Sequence, residues 1–193
     1  MRKVERSEIL DLGAYEAIRP HFRGRMIAEK EHRRVMVGEH MTFLLENHDT
    51  VLLQIQEMMR TERISDERAI QHELDTYNEL IPGQNELSAT VLIAYEDPTE
   101  RREMAFKLAG LDRAIHFEVG GKRQKTTWIM APGEDASRVP AINYVRFTLT
   151  DAAVTALRDG ADATLVVDHP AYDARATFPP NVRQAAIADL SPN

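Results

Sequence analysis

The apolar positions of the chain change period near residue 83: helical spacing before it, short runs and alternations after it. Tyr15, Ile18, Phe22 and Met26 recur three, four and four apart, which lines one side of a helix. Pro20 falls within that stripe, so the pattern predicts either a kink or a fresh helix starting near Pro20. Ser7 is placed to cap a shorter helix running to Leu12. Arg33 to Val37 and Met41 to Leu45 read as two short strands around Gly38. Asn47 or Asp49 can cap the next helix, because a short side-chain acceptor satisfies the free N–H groups of a first turn. Val51, Leu52, Ile55, Met58 and Met59 form its buried face. Glu62 would fall within that face, so either the helix ends near Arg60 or Glu62 pairs with an arginine. Ser65 opens another helix whose stripe is Ile70, Leu74, Tyr77 and Ile81, stopped by Pro82-Gly83.

Beyond residue 83 the run Ser88 to Tyr95 is nearly all apolar, the signature of a central strand covered on both faces. Pro98 to Leu108 reads as a helix with Gly110 at its C′ position. Ala114 to Val119 and Thr126 to Met130 suggest a hairpin across the intervening glycine- and lysine-containing turn. In Asn143 to Leu149, Val145, Phe147 and Leu149 alternate onto one side, and Thr150 caps a helix ending near Gly160. Ala163 to Val167 is a further buried strand, and Pro179-Pro180 introduces a C-terminal helix. The expected class is α+β: a helical N-terminal half packed on a mixed, largely antiparallel sheet with flanking helices. One domain over residues 1–193 is expected, with sub-lobes at 1–83 and 84–193.

Composition narrows the chemistry more than the fold. A chain of 193 residues buries roughly 70% of its unfolded surface and needs no metal or disulfide to fold. It has no cysteine, which removes disulfides, thiol nucleophiles and thiolate-held clusters. No secretory or membrane-spanning apolar segment is evident, so a cytoplasmic protein is expected. The net charge of −7 is unevenly spread. Residues 35–100 carry 3 Lys/Arg against 14 Asp/Glu, while residues 1–34 carry 9 against 6. The acidic middle argues against a nucleic-acid surface there. A basic N-terminal helix lying on it would give intramolecular attraction, or a dipolar face for a partner.

Thr42–Ile64, the stretch from Glu73 to Pro82 and Val167-Asp-His-Pro170 together resemble an uncharacterised bacterial family of about this length, catalogued as a domain of unknown function. Members are commonly encoded beside rubrerythrin-like di-iron proteins and cysteine-rich iron–sulfur proteins. The resemblance therefore implies a role in redox or oxidative-stress physiology as a partner, and it supplies no catalytic residues.

Candidate chemistry centres on the polar side of the helix after Asn47. Glu57 and Arg60 lie three apart, opposite Ile55 and Met59, with Asp49 at the N-terminal end and Gln54 and Gln56 flanking the stripe. Together with Glu46 and Arg63, these groups could orient an anionic ligand or meet a partner's charged surface. The plainer reading is an i,i+3 surface ion pair of about 0.2–0.5 kcal/mol. Leu53 projects among these polar groups, which suggests that another element or a second subunit covers them. Glu29-x-x-His32 is half of a di-iron signature with no second half, and His40, His48 and His72 are scattered, so no metal site and no cofactor are predicted. His169, just beyond a buried strand, could act as an acid or base, although Asp168-His169-Pro170 is also a routine turn opener. Gly121-Lys122 lacks the surroundings of a phosphate loop.

Two functions follow. One is a non-catalytic accessory or binding protein that acts through the acidic surface of the middle section, self-associates through helix faces and engages a protein partner such as a rubrerythrin-like or iron–sulfur protein, with neither nucleic acid nor membrane involved. The other is a small-ligand-binding enzyme using a Glu/Arg or His site.

Overall fold

A computed structural model describes residues 1–129 and 137–190. Helix α1 (Leu12–Glu31) leads into strands β1 (Arg34–Val37) and β2 (Met41–Leu45), then helices α2 (His48–Glu62) and α3 (Glu67–Tyr77). Strand β3 (Glu86–Ile93), helix α4 (Pro98–Lys107) and strands β4 (Ile115–Val119), β5 (Lys122–Arg123), β6 (Lys125–Ile129) and β7 (Ile142–Thr148) follow. Helix α5 (Asp151–Arg158), strands β8 (Ala163–His169) and β9 (Tyr172–Thr177) and helix α6 (Pro180–Asp189) complete the order. The α+β class is as expected, but the strands form two sheets, ordered β1-β2-β3-β7-β6 and β5-β4-β8-β9. Every pairing between them is antiparallel among the described residues, so the expected mixed character is corrected.

Three layers result. The inward residues of both sheets, with α5 and α6, make the larger core, in which Phe117 lies 5.2 Å from Phe147 and 5.3 Å from Phe178 between ring centres. The second core packs Val51, Ile55 and Met59 of α2 against Ile70 and Leu74 of α3, and draws in Val4 and Ile9 from the N-terminal segment. Ile129 and Tyr144, on the outer face of the five-stranded sheet, are packed against this second core. Buried apolar surface stabilises both by about 25 cal/mol per Å². Ser88 and Arg146 reach from the same outer face to the Leu80 and Glu79 carbonyls, which pins the turn after α3 to the sheet.

Several local expectations are corrected. The first helix begins after Asp11, whose carboxylate accepts from the Ala14 N–H at 2.8 Å, while Ser7 sits in a short 3₁₀ turn. That helix continues through Pro20, which is exposed, and Ile18 from the expected stripe is 44% exposed. Asn47, not Asp49, caps α2, and the helix runs on to an exposed Glu62 because its last turn overhangs the core. Arg63 then ends it in the left-handed conformation at φ 55°. Residues 126–129 do not pair with β4: after Gln124 the chain crosses to the other sheet and β6 pairs with β7. Met130, the expected end of that strand, lies outside the described residues. Strand β9 was not expected, since its inward positions are the small Ala174 and Ala176.

Gly38, between β1 and β2, holds φ at +67°, and the Tyr172 hydroxyl occupies the space a Cβ would need. That hydroxyl donates to the Val37 carbonyl at 2.6 Å and accepts from the His40 N–H at 3.1 Å, tying the two sheets together at this end.

Candidate functional site

The side chains expected on the outward side of α2 are turned towards α1. Glu57 accepts from the Tyr15 hydroxyl at 2.6 Å and from Arg19 at 2.8 and 2.9 Å, with Arg23 at 3.4 Å. The Arg19 hydrogen bond, with help from Tyr15, holds the Glu57 carboxyl down at about 2, against the opposing effect of burial. Burial, and then the Glu57 carboxylate, push the Tyr15 hydroxyl up. Arg60 pairs with Glu16 at 2.7 Å, and Leu53 is 8% exposed. Helix α1 of the same chain thus covers Glu57 and Arg60, and the basic N-terminal segment meets the acidic middle internally. Arg6 on Glu67 at 2.7 Å repeats the pattern.

The other expected residues separate. Asp49 contacts His48 Nδ1 at 3.0 Å, and His48 Nε2 faces Glu8 at 3.2 Å. Arg63 is exposed at the end of α2. His169 is 8% exposed with both ring nitrogens engaged: Nδ1 accepts from the Ala171 N–H at 3.1 Å, so the proton lies on Nε2, 3.1 Å from the Ala109 carbonyl. That is the geometry of a turn. Nearby, Asp168 binds His116 at 3.0 Å and Arg123 at 2.8 Å on the exposed face of the four-stranded sheet.

Glu46 and Gln54 do come together. The register places Leu44, Thr90 and Tyr144 in one row across the outer face of the five-stranded sheet, with Thr42, Leu92 and Ile142 in the next. Where α2 rises from that face, a recess of about 210 Å³ remains between helix and strands. Its polar groups are Lys30, Glu46, Thr50, Gln54, Thr90 and Tyr144. Its apolar groups are Leu44, Val51, Leu80, Leu92 and Ile142.

The local sequence explains why Glu46 stands there. The chain leaves β2 at Glu46, whose backbone N–H still donates to the Ser88 carbonyl at 2.9 Å. Asn47 and Thr50 cap α2 reciprocally, each side-chain oxygen accepting the other's backbone N–H at 2.9 Å. This cap sets the Thr50 hydroxyl against one Glu46 oxygen, while Thr90 donates to the other. Glu46 is 7% exposed, yet it forms no ion pair among the described residues. Lys30, in the last turn of α1, likewise has no hydrogen-bonded or ion-paired acceptor for its ammonium among the described residues. Burial lowers its pKa, and the Glu46 carboxylate works the other way. A buried carboxylate without a counter-ion, facing an accessible recess, is an arrangement that structure alone does not favour.

A wider hollow of about 650 Å³ lies between Met1, Gln84, Asp151 and Arg158. Its charged side chains are already engaged: Arg2 by Glu8, Asp151 by Asn85, Asp189 by Arg33 and Arg158 by the Leu190 carbonyl. The recess at Glu46 therefore has the better claim to chemistry. Thr50, Thr90, Lys30 and Tyr144 were not singled out from sequence; the one available signal was a pair of hydroxyls at Ser88 and Thr90 inside an otherwise apolar strand.

The fold and recess define an α+β protein with two antiparallel sheets and a helical layer framing a small mixed-polarity site. The chain belongs to a family described as a protein of unknown function (DUF3501), whose model matches residues 3–190. A crystal structure of a protein of unknown function from Burkholderia pseudomallei is similar to it, with 33% identity and a TM-score of 0.90 over 98% of this chain and 100% of the other. No curated protein matches the chain. Among the described residues no helix is long and apolar enough to cross a membrane.

Proposed function

We propose that this protein binds a small molecule bearing a protonated nitrogen, held in the recess with that nitrogen against Glu46. One observation carries the reading: the carboxylate is buried, positioned by two hydroxyls, and faces open volume with no cation bonded to it among the described residues. A recess of about 210 Å³ is smaller than the roughly 300–1,000 Å³ of pockets for drug-sized ligands, and holds the volume of about seven waters. The occupant is therefore of small-metabolite size, with an apolar part resting on Leu44, Leu92 and Ile142.

Calorimetric titration with isopentylamine and with L-leucine, which place an ammonium on the same apolar body, tests this. At least one is expected to bind, and Glu46→Gln is expected to weaken it tenfold or more while the melting temperature stays near that of the parent. An unchanged affinity in the variant, or no binding of either probe, would contradict the reading.

An accessory role beside a rubrerythrin-like or iron–sulfur protein rests on the family resemblance, and a cytoplasmic setting rests on the sequence pattern. Self-association through helix faces rests on the sequence pattern. Co-purification with such a partner would support the accessory role, and its complex would weaken with salt if charge steers it.

A further inference from the structure

We infer that the ligand also carries a carboxylate, read by Lys30, so that the site selects apolar α-amino acids over simple amines. This rests on the reading that Glu46 receives an ammonium group. The recess presents one anionic and one cationic side chain, each without an ion-pair partner among the described residues, across a floor of leucine and isoleucine. A ligand with a positive group alone would satisfy Glu46 and leave Lys30 both desolvated and repelled. An acid alone would satisfy Lys30 and leave Glu46 buried beside a second negative charge. A zwitterion matches both groups and keeps the occupied recess neutral, which is what a partly dry site requires.

The placement of Lys30 also suits a specificity role. It lies in the last turn of α1, and that helix is fastened to α2 further up by Glu57. Its position relative to Glu46 is thus set by two helices and by the short β2–α2 connection, which is tied to β3 through the Glu46 N–H and the Ser88 carbonyl. Gln54, one turn along α2 from Thr50, adds a neutral amide to the lining of the recess.

Matched probes separate this inference from the one beneath it. L-leucine, isopentylamine (no carboxylate) and 4-methylpentanoate (no amine) are titrated into the whole chain and into Lys30→Met, which keeps the apolar stem. Leucine is expected to bind at least tenfold more tightly than either truncated probe, and Lys30→Met should abolish that preference, weakening leucine while isopentylamine, relieved of the repelling ammonium, binds the variant at least as tightly as the parent. Lys30→Arg should restore part of the preference. If isopentylamine binds as tightly as leucine, or the preference survives in Lys30→Met, the carboxylate-reading role is wrong while the amine site stands. If no ammonium-bearing probe binds, or binding ignores Glu46→Gln, both inferences fall.

Discussion

Replacing Arg33 by methionine is expected to destabilise the protein by about 3–5 kcal/mol, the range for removing one member of a buried ion pair. Arg33 is 5% exposed and sits where the end of α1, the end of β2 and the C-terminal α6 converge. Its guanidinium donates to both oxygens of Asp189 at 2.6 and 3.1 Å and to Glu29 at 2.6 Å, and Asn47 also donates to Glu29 at 3.2 Å. Burial alone pushes the Asp189 carboxyl up, and Arg33 opposes that shift. Without Arg33 the carboxylate would stay largely buried, beside Glu29, with no hydrogen-bonding cation. A loss of that size corresponds to a melting temperature lower by roughly 6–20 °C for a chain of this length. The double variant Arg33→Met with Asp189→Leu should recover most of the loss, because it removes both charges. Urea unfolding of the two variants measures the difference, and equal losses would show that packing, with no contribution from charge, holds this corner.

Acid should uncouple α1 from the rest of the protein. Glu57 is held at about 2 in the folded chain against an ordinary 4.5, and Glu8, bonded mainly by Arg2, is held at about 2 as well. A carboxyl whose folded pKa is depressed contributes stability that is complete above its unfolded value and disappears as pH falls through the folded one. The contribution of Glu57 is thus full above about pH 5 and largely gone near pH 2, and amounts to on the order of 3 kcal/mol at neutral pH. Glu57→Gln is expected to lose about that much at pH 7 and almost nothing at pH 2, so that the two stability curves converge in acid. Denaturant unfolding across pH 2–7 reads this directly. Parallel curves would mean that the four hydrogen bonds at Glu57 add no pH-dependent stability.

Much of this architecture was legible from period and punctuation. Strand β2 matches its expected limits because alternating apolar residues are bounded by Gly38 and Asn47. Thr150 caps its helix by a short-range bond that a local pattern can express. What could not be read depends on distant neighbours. The expected hairpin joined residues close in sequence, whereas Gln124 donates its N–H to Phe117 and then carries the chain into the other sheet. The polar side of α2 was visible as a side, but nothing local reveals that Tyr15 and Arg19, about forty residues earlier, cover it. The site is harder still. Glu46 and Gln54 stood out as polar groups, yet the recess exists because folding pairs β3, which carries Thr90, with β2, and β7, which carries Tyr144, with β3. Lys30, in the last turn of α1, carries no mark in the sequence at all.

Backbone amide shifts in an isotope-labelled sample, followed during titration with L-leucine, test the central claim most directly. Ligand entering the recess predicts that the largest changes fall on Leu44, Glu46, Thr50, Thr90 and Tyr144, whose backbones frame it. Asp168, His116 and the turn at His169, on the far sheet, should stay still. Changes concentrated on that far sheet, or in the hollow near Asp151, would show that Glu46 is a structural carboxylate and that the protein meets its ligand elsewhere.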